Sequence, residues 1–311
     1  MNFCYSNVMS AGPTIIRKSR TTRSNLELVN SLRENFIATR QDYAAFQEQA
    51  RINGNGNGNG TAHAINGVEQ WTERDNGVWY IPRIDWRGAG LKEEVGQYEI
   101  TVKLFLLPDT PVQQREQYVQ EALTLVMKEL GIQKIDLLVV SFPGMSFEGS
   151  CEWEADKINA QQGNLDEEAA TWKVLERLHT EGVVGRLGVS EFGSEKLQAF
   201  LERATIPPAV DQINLQDCCS VPPPLKQLAD AKNIELNVNT DCTDILPPGT
   251  LRELLSHGTL GAGILADAEH NGAGAKGEIT PQWVVRYTAF VRDRGVIENK
   301  GYFAGAELRD N

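Results

Sequence analysis

The feature that most constrains this chain is an alternation, from residue 99 onward, of short apolar runs with strand character and longer segments whose apolar residues recur every three or four positions. The strand-like runs are 99–107, 135–142, 186–190, 210–215, 234–239 and 295–298, and the helical patterns are 112–130, 167–181, 194–203, 224–232, 251–256 and 282–294. In 167–181, for example, Trp172, Leu175 and Leu178 fall on one helical face. Gly131 and Gly182 stand just past two of these patterns, where a left-handed residue ends a helix at little cost. Such alternation predicts a parallel sheet covered by helices, either a doubly wound layer or an eight-stranded (β/α) barrel.

Upstream of this region the pattern fades. Residues 53–60 spell Asn-Gly four times in succession, which reads as a flexible low-complexity linker and not as a hairpin turn. Few large apolar residues surround it. The chain is therefore expected to be one domain over 1–311, with 51–77 a disordered insert, 1–13 a flexible terminus and the barrel resuming near Val78.

With 311 residues, 41% of them hydrophobic, the chain can bury a full core. It has no apolar run of about 18 residues, and its opening segment lacks the charged-then-apolar order of a secretory signal, so a soluble cytoplasmic protein with no membrane partner is expected. A net charge of −12 opposes binding to phosphate backbones and argues against a nucleic-acid partner. The basic run at 17–23 reads as a solvated arm or a partner-binding one. Five cysteines, Cys4, Cys151, Cys218, Cys219 and Cys242, show no CxxC spacing, and the four histidines share no spacing suited to a metal. No metal site and no disulfide framework is predicted.

Several passages resemble the aldo-keto reductases. Lys128 to Leu138 is similar to their helix-to-strand passage, Thr171 to Glu176 with Gly182 to Phe192 to the next unit, and Gly188-Val189-Ser190-Glu191-Phe192 to the family's Gly-Val-Ser-Asn-Phe. Pro208 to Asn214 follows at the spacing expected. The resemblance runs from about residue 99 to 301 and implies an α/β fold of the (β/α)8 TIM-barrel type.

It also implies a test of chemistry. These reductases use a tyrosine as proton donor, a lysine and an aspartate that tune it, a histidine that orients the substrate, and a nicotinamide coenzyme. Lys103 stands where the family's lysine belongs, and Asp85 in Arg83-Ile84-Asp85-Trp86 matches the aspartate as a relic. The tyrosine five residues on is replaced by Gly90, and Ser141 in Val140-Ser141-Phe142-Pro143 replaces the histidine. Where the family's Pro-Lys-Ser motif would anchor a phosphate, the chain reads Ile297-Glu298-Asn299-Lys300, and Glu298 would repel one. Lys103 is expected either to pair with Asp85 or Glu99 as a relic or to bind an anionic ligand in the barrel mouth. Ser141 has neither a glycine-rich elbow nor a partner histidine to make it a nucleophile.

These departures resemble the modifier-subunit family of glutamate–cysteine ligase. Its marks are matched by Val102-Lys103-Leu104-Phe105, by Gln212-Ile213-Asn214-Leu215 followed by Cys218, Cys219 and Pro222-Pro223, and by the ending Trp283 to Tyr287, Arg294 to Ile297 and Lys300 to Tyr302. The resemblance implies a non-catalytic regulatory subunit in glutathione biosynthesis, binding no cofactor. Its partner would be the glutamate–cysteine ligase catalytic subunit, joined as a heterodimer, with glutamate use improved and glutathione feedback relieved. It also implies a cysteine-assisted contact through Cys218 and Cys219, as an intermolecular disulfide; the alternative for both thiols is burial as small apolar groups. Trp283, Arg286 and Tyr287, read at helical spacing, are either a core face or part of the partner interface. Two rival readings stay open: an NADPH-dependent aldo-keto reductase with a rearranged site, its proton supplied by Tyr80 or Tyr98, and a thiol redox protein using Cys218 and Cys219.

Overall fold

The computed structural model describes residues 2–5, 23–53, 68–215, 220–241, 244–258, 261–266 and 274–309. In chain order the regular elements are β1 (Asn2–Tyr5), α1 (Arg23–Asn53), β2 (Glu73–Asp75), β3 (Val78–Ile81), β4 (Tyr98–Leu106), α2 (Arg115–Leu130), β5 (Ile135–Ser141), α3 (Glu152–Asn159) and α4 (Leu165–Thr180). They continue as β6 (Val184–Ser190), α5 (Ser194–Leu201), β7 (Val210–Asn214), α6 (Pro223–Lys232), β8 (Glu235–Asn239), α7 (Thr250–Leu255), β9 (Glu278–Val291) and β10 (Val296–Arg309). Gly131 caps α2 at φ 64°, in the left-handed region anticipated for it.

Five of the strands, β4 to β8, pair in chain order and in parallel, each joined to the next through a helix. The α/β class with a parallel sheet is therefore as expected. The flank of β4 departs from the expectation: it is taken by β9, which runs antiparallel to it and is hydrogen-bonded in turn to β10 as a long hairpin. Among the described residues the sheet has ten strands in the order β2-β3-β1-β10-β9-β4-β5-β6-β7-β8, with β2 and β8 at its ends, and no hydrogen-bonded closure into an eight-stranded parallel ring is seen.

The helical pattern expected over 282–294 is corrected by this hairpin. The segment Trp283-Val284-Val285-Arg286-Tyr287 is rich in β-branched and aromatic residues, which fit a pleated surface, and a full hydrogen-bond ladder on both sides of β9 outweighs the helical period. Trp283 and Tyr287 lie directly across from Gly305 and Gly301, and a Cβ on either glycine would enter the facing ring. Each aromatic side chain thus covers the backbone of a glycine on the neighbouring strand. The upstream expectations also change in part. Residues 2–5 pair with β10 and β3, residues 51–53 are the last of α1, and 68–77 hold a turn and the strand β2. The Asn-Gly repeat itself lies outside the described residues from 54 to 67.

The sheet carries a core on each face. Val102, Leu104, Tyr287 and Phe303 join Val119 and Val126 of α2, Trp172 and Leu175 of α4 and Phe200 of α5. On the other face Phe105, Val284, Tyr302 and Ala304 meet Leu28, Leu32 and Phe36 of α1, together with Leu251, Leu254 and Leu255 of α7. The four-residue spacing of Leu28, Leu32 and Phe36 puts one stripe of α1 on the sheet.

Candidate functional site

In the register of the hairpin, Lys103 stands directly beside Arg286 and Arg286 beside Tyr302, so three polar side chains form one row across β4, β9 and β10. Facing residues in a ladder share a side of the sheet, and this row is on the side covered by α1. The carboxylate that collects it is Asp241, two residues past the end of β8. Lys103 Nζ donates to Asp241 Oδ2 at 2.8 Å, Arg286 Nη2 donates to the same oxygen at 2.9 Å, and Arg286 Nη1 donates to Oδ1. Tyr302 in turn donates from its hydroxyl to Glu27 of α1 at 3.1 Å, and Lys300 pairs with the same carboxylate.

The geometry has a consequence for shape. Four strand spacings separate β4 from β8, roughly 19 Å in a flat sheet. Lys103 and Asp241, two residues past β8, are nevertheless in contact at 2.8 Å, so the sheet between β4 and β8 is strongly curved.

Two cations share one carboxylate at the cluster. The Lys103 and Asp241 side chains are 2% and 8% exposed. Burial pushes the Asp241 carboxyl up, but Lys103 and Arg286 outweigh it and hold the group well below the usual carboxylate range. Burial pushes the Tyr302 phenol well above its ordinary value, with Arg286 opposing, so its proton is held tightly. Beside the cluster, Glu191 follows β6 at φ 64°, a left-handed conformation that the family's asparagine adopts more readily than glutamate. It accepts from the backbone N–H of Asn214 at 3.1 and 3.2 Å, and Asn214 donates from its side chain to the Asp241 carbonyl at 2.7 Å.

Asp211, inside β7, is fully buried; burial and then the neighbouring Glu191 push its carboxyl well up, and its Oδ2 has no hydrogen-bond partner among the described residues. An acid raised on folding binds its proton more tightly in the folded state, so folding is favoured below the unfolded carboxylate range and loses that advantage as pH rises through the raised value. Asp211→Asn is accordingly expected to keep the fold and to flatten the fall of stability toward alkaline pH, measured as urea midpoints across a pH series. An unchanged slope would assign that fall to other groups.

The residues anticipated from sequence are only partly brought together. Lys103 and Arg286 meet at Asp241. The expected partners of Lys103 are corrected: Glu99 pairs with Arg186, and Asp85, 61% exposed, caps the short turn at Trp86–Gly88 and binds the Arg87 guanidinium at 2.6 and 2.8 Å. Ser141 ends β5 and is buried. Trp283 and Tyr287, each 1% exposed, are core residues of the outer face, and their side chains are enclosed within the chain. Cys218 and Cys219 lie outside the described residues. The ring nitrogens of His179 and His257 meet the carbonyls of Val184 and Leu265, both at 2.9 Å, and no group suited to a metal is found among the described residues.

Asp241, Glu191, Asp211 and Tyr302 were not singled out from sequence. For Glu191 and Asp241 a signal existed, polar residues just past the ends of parallel strands, where sites gather; Asp211 and Tyr302 lie inside strands and carried no such mark. The arrangement does not fit the coenzyme of the reductases. Both cations near the strand ends are taken up by Asp241, α1 and α7 pack on that face, and Glu298 sits at the opposite end of β4, accepting from the Tyr98 hydroxyl at 2.8 Å.

Comparison with known proteins adds the following. The model of the aldo/keto reductase family matches residues 85–241. A Schizosaccharomyces pombe protein, whose name as a glutamate–cysteine ligase regulatory subunit is itself provisional, is 29% identical over 216 residues, covering 66% of this chain and 70% of that one. The Homo sapiens glutamate–cysteine ligase regulatory subunit is 24% identical over 217 residues, 70% of this chain and 69% of its own. An Arabidopsis thaliana protein, aldo-keto reductase family 4 member C11, is 32% identical over 95 residues, 30% of this chain and 29% of its own.

Proposed function

Because the chain belongs to the aldo/keto reductase family but carries Lys103 neutralised in a buried cluster, we propose that it is a non-catalytic regulatory subunit that binds the glutamate–cysteine ligase catalytic subunit as a heterodimer in the cytoplasm. The observation that carries this reading is the pair of missing groups: Gly90 stands where the proton-donating tyrosine would be and the buried Ser141 where the orienting histidine would be, while Lys103 is held by Asp241 together with Arg286. The names of relatives aligned over about 70% of their length support it. Docking acts as a coupling between partner binding and substrate affinity, so glutamate is used better and glutathione inhibits less, by about 5- to 150-fold. Cys218 or Cys219 contributes a reductant-sensitive link between the subunits.

The test is titration of this chain into the purified catalytic subunit from the same source. A saturable fall in glutamate KM with a rise in the glutathione inhibition constant is expected; no change with both proteins folded would remove the reading. Cys218→Ser with Cys219→Ser should abolish the part of the effect that reductant abolishes, and a double variant that behaves like the native chain would discard the disulfide.

The rival reading, an NADPH-dependent reductase with a rearranged site, asks Tyr80 or Tyr98 for the proton; the Tyr98 hydroxyl is bonded to Glu298 at the far end of β4, and the phenol that shares a row with Lys103 is that of Tyr302, two strands away. Saturable NADPH oxidation with an aldehyde, lost in Tyr302→Phe, would favour it. The tight hold on the Tyr302 proton argues the other way.

A further inference from the structure

Far from the Lys103 cluster in the sheet order, beside the β2–β3 hairpin, a cleft of about 610 Å³ is lined by Arg74, Val78, Trp79, Ala275, Lys276 and Leu308, with two glycines. Its size is that of small-molecule sites. Among its described lining residues the charged ones are Arg74 and Lys276, and no carboxylate joins them. Neither cation makes an ion pair with a described residue, although the chain as a whole carries a net charge of −12. The Arg74 guanidinium lies over the Trp79 ring, 4.3 Å from its centroid, a stacking that fixes its plane and leaves its donors at the rim. Trp79 is 8% exposed, and its Nε1 is a buried donor with no hydrogen-bond partner among the described residues. That nitrogen is closed off from the cleft, so Trp79 contributes the face of its ring to the wall.

We infer that this cleft binds a small organic carboxylate, its two oxygens held by Arg74 and Lys276 and its body against Trp79, Val78 and Leu308. A flat guanidinium offers two parallel N–H donors to two coplanar oxygens, which suits a carboxylate. The apolar wall of Val78, Ala275 and Leu308 and the volume of the cleft both exceed what an inorganic ion fills. This assignment is independent of the regulatory reading and concerns the chain alone.

Calorimetric titration of the full chain with benzoate, acetate and benzamide tests it. Benzoate is expected to bind saturably at one site and more tightly than acetate, with benzamide not binding. Arg74→Gln and Lys276→Gln are each expected to weaken benzoate by about tenfold, the loss of one charge-assisted hydrogen bond, and Trp79→Phe to weaken it as well. Arg74 and Lys276 are exposed, so their variants should keep the native circular dichroism spectrum and melting temperature. Absence of saturable benzoate binding, equal binding by the native chain and both charge variants, or equal competition by inorganic phosphate would each overturn the inference. Since no ligase subunit is present, any of these results leaves the regulatory reading standing.

Discussion

Asp241→Ala is expected to lower the stability of the chain by about 3–5 kcal/mol, the range for breaking a buried ion pair by removing one partner. The loss arises because Lys103, buried, and Arg286, partly buried, would stand side by side without the carboxylate that bonds both, leaving only Glu191 near Lys103. Asp241→Asn should recover little, since an amide offers one acceptor and no charge to two cations. Lys103→Met added to Asp241→Ala should recover much of the loss, because it removes one stranded charge and leaves an apolar chain of similar length. Urea unfolding midpoints measure all three. Equal midpoints for the native and Asp241→Ala chains would mean that the cluster is solvated and holds nothing together.

Trp172→Ala is expected to cost about 3–5 kcal/mol as well, by a different route. The indole is buried on the outer face, packs edge-on against Phe200 with ring centroids 5.2 Å apart, and donates from Nε1 to the carbonyl of Ile206 at 2.8 Å. Alanine leaves a cavity between α4 and α5 and strips a partly buried carbonyl of its partner. Trp172→Phe should cost less, since it fills most of the volume and loses chiefly the hydrogen bond. The same denaturation series resolves the two, and a Trp172→Ala midpoint within error of the native one would show that the helices close over the gap.

The regions that were legible in the sequence are those where local period and fold agree. Apart from α3, which no expected run covered, the strands and helices from β4 to β8 fall within a few residues of the expected runs, because each strand pairs with its chain neighbour and each of these helices shows one apolar face. The hairpin of β9 and β10 was not legible in this way. Apolar residues at 283, 284, 285, 287, 289, 290 and 291 satisfy either period, and the deciding contact is with β4, far back in the chain. Helix α1 announces itself only through Leu28, Leu32 and Phe36, a thin stripe in a polar stretch. The site divides similarly. Lys103 was found through its strand, whereas its true partner Asp241 is 138 residues away and is selected by the curl of the sheet, which no local spacing encodes.

The placement of β9 beside β4 also bears on synthesis. Tyr98 at the start of β4 bonds to Glu298, 200 residues later, and until β9 emerges the strand Tyr98–Leu106 keeps one row of backbone donors and acceptors unpaired. Six of its nine residues are apolar and its last three, Leu104 to Leu106, are continuous, which makes the open edge prone to association. During vectorial translation, at about 5–20 residues per second, the open edge lasts for roughly 10 to 40 seconds. A nascent chain stalled before residue 278 should therefore be a strong client of chaperones, and the arrival of the hairpin is what releases it.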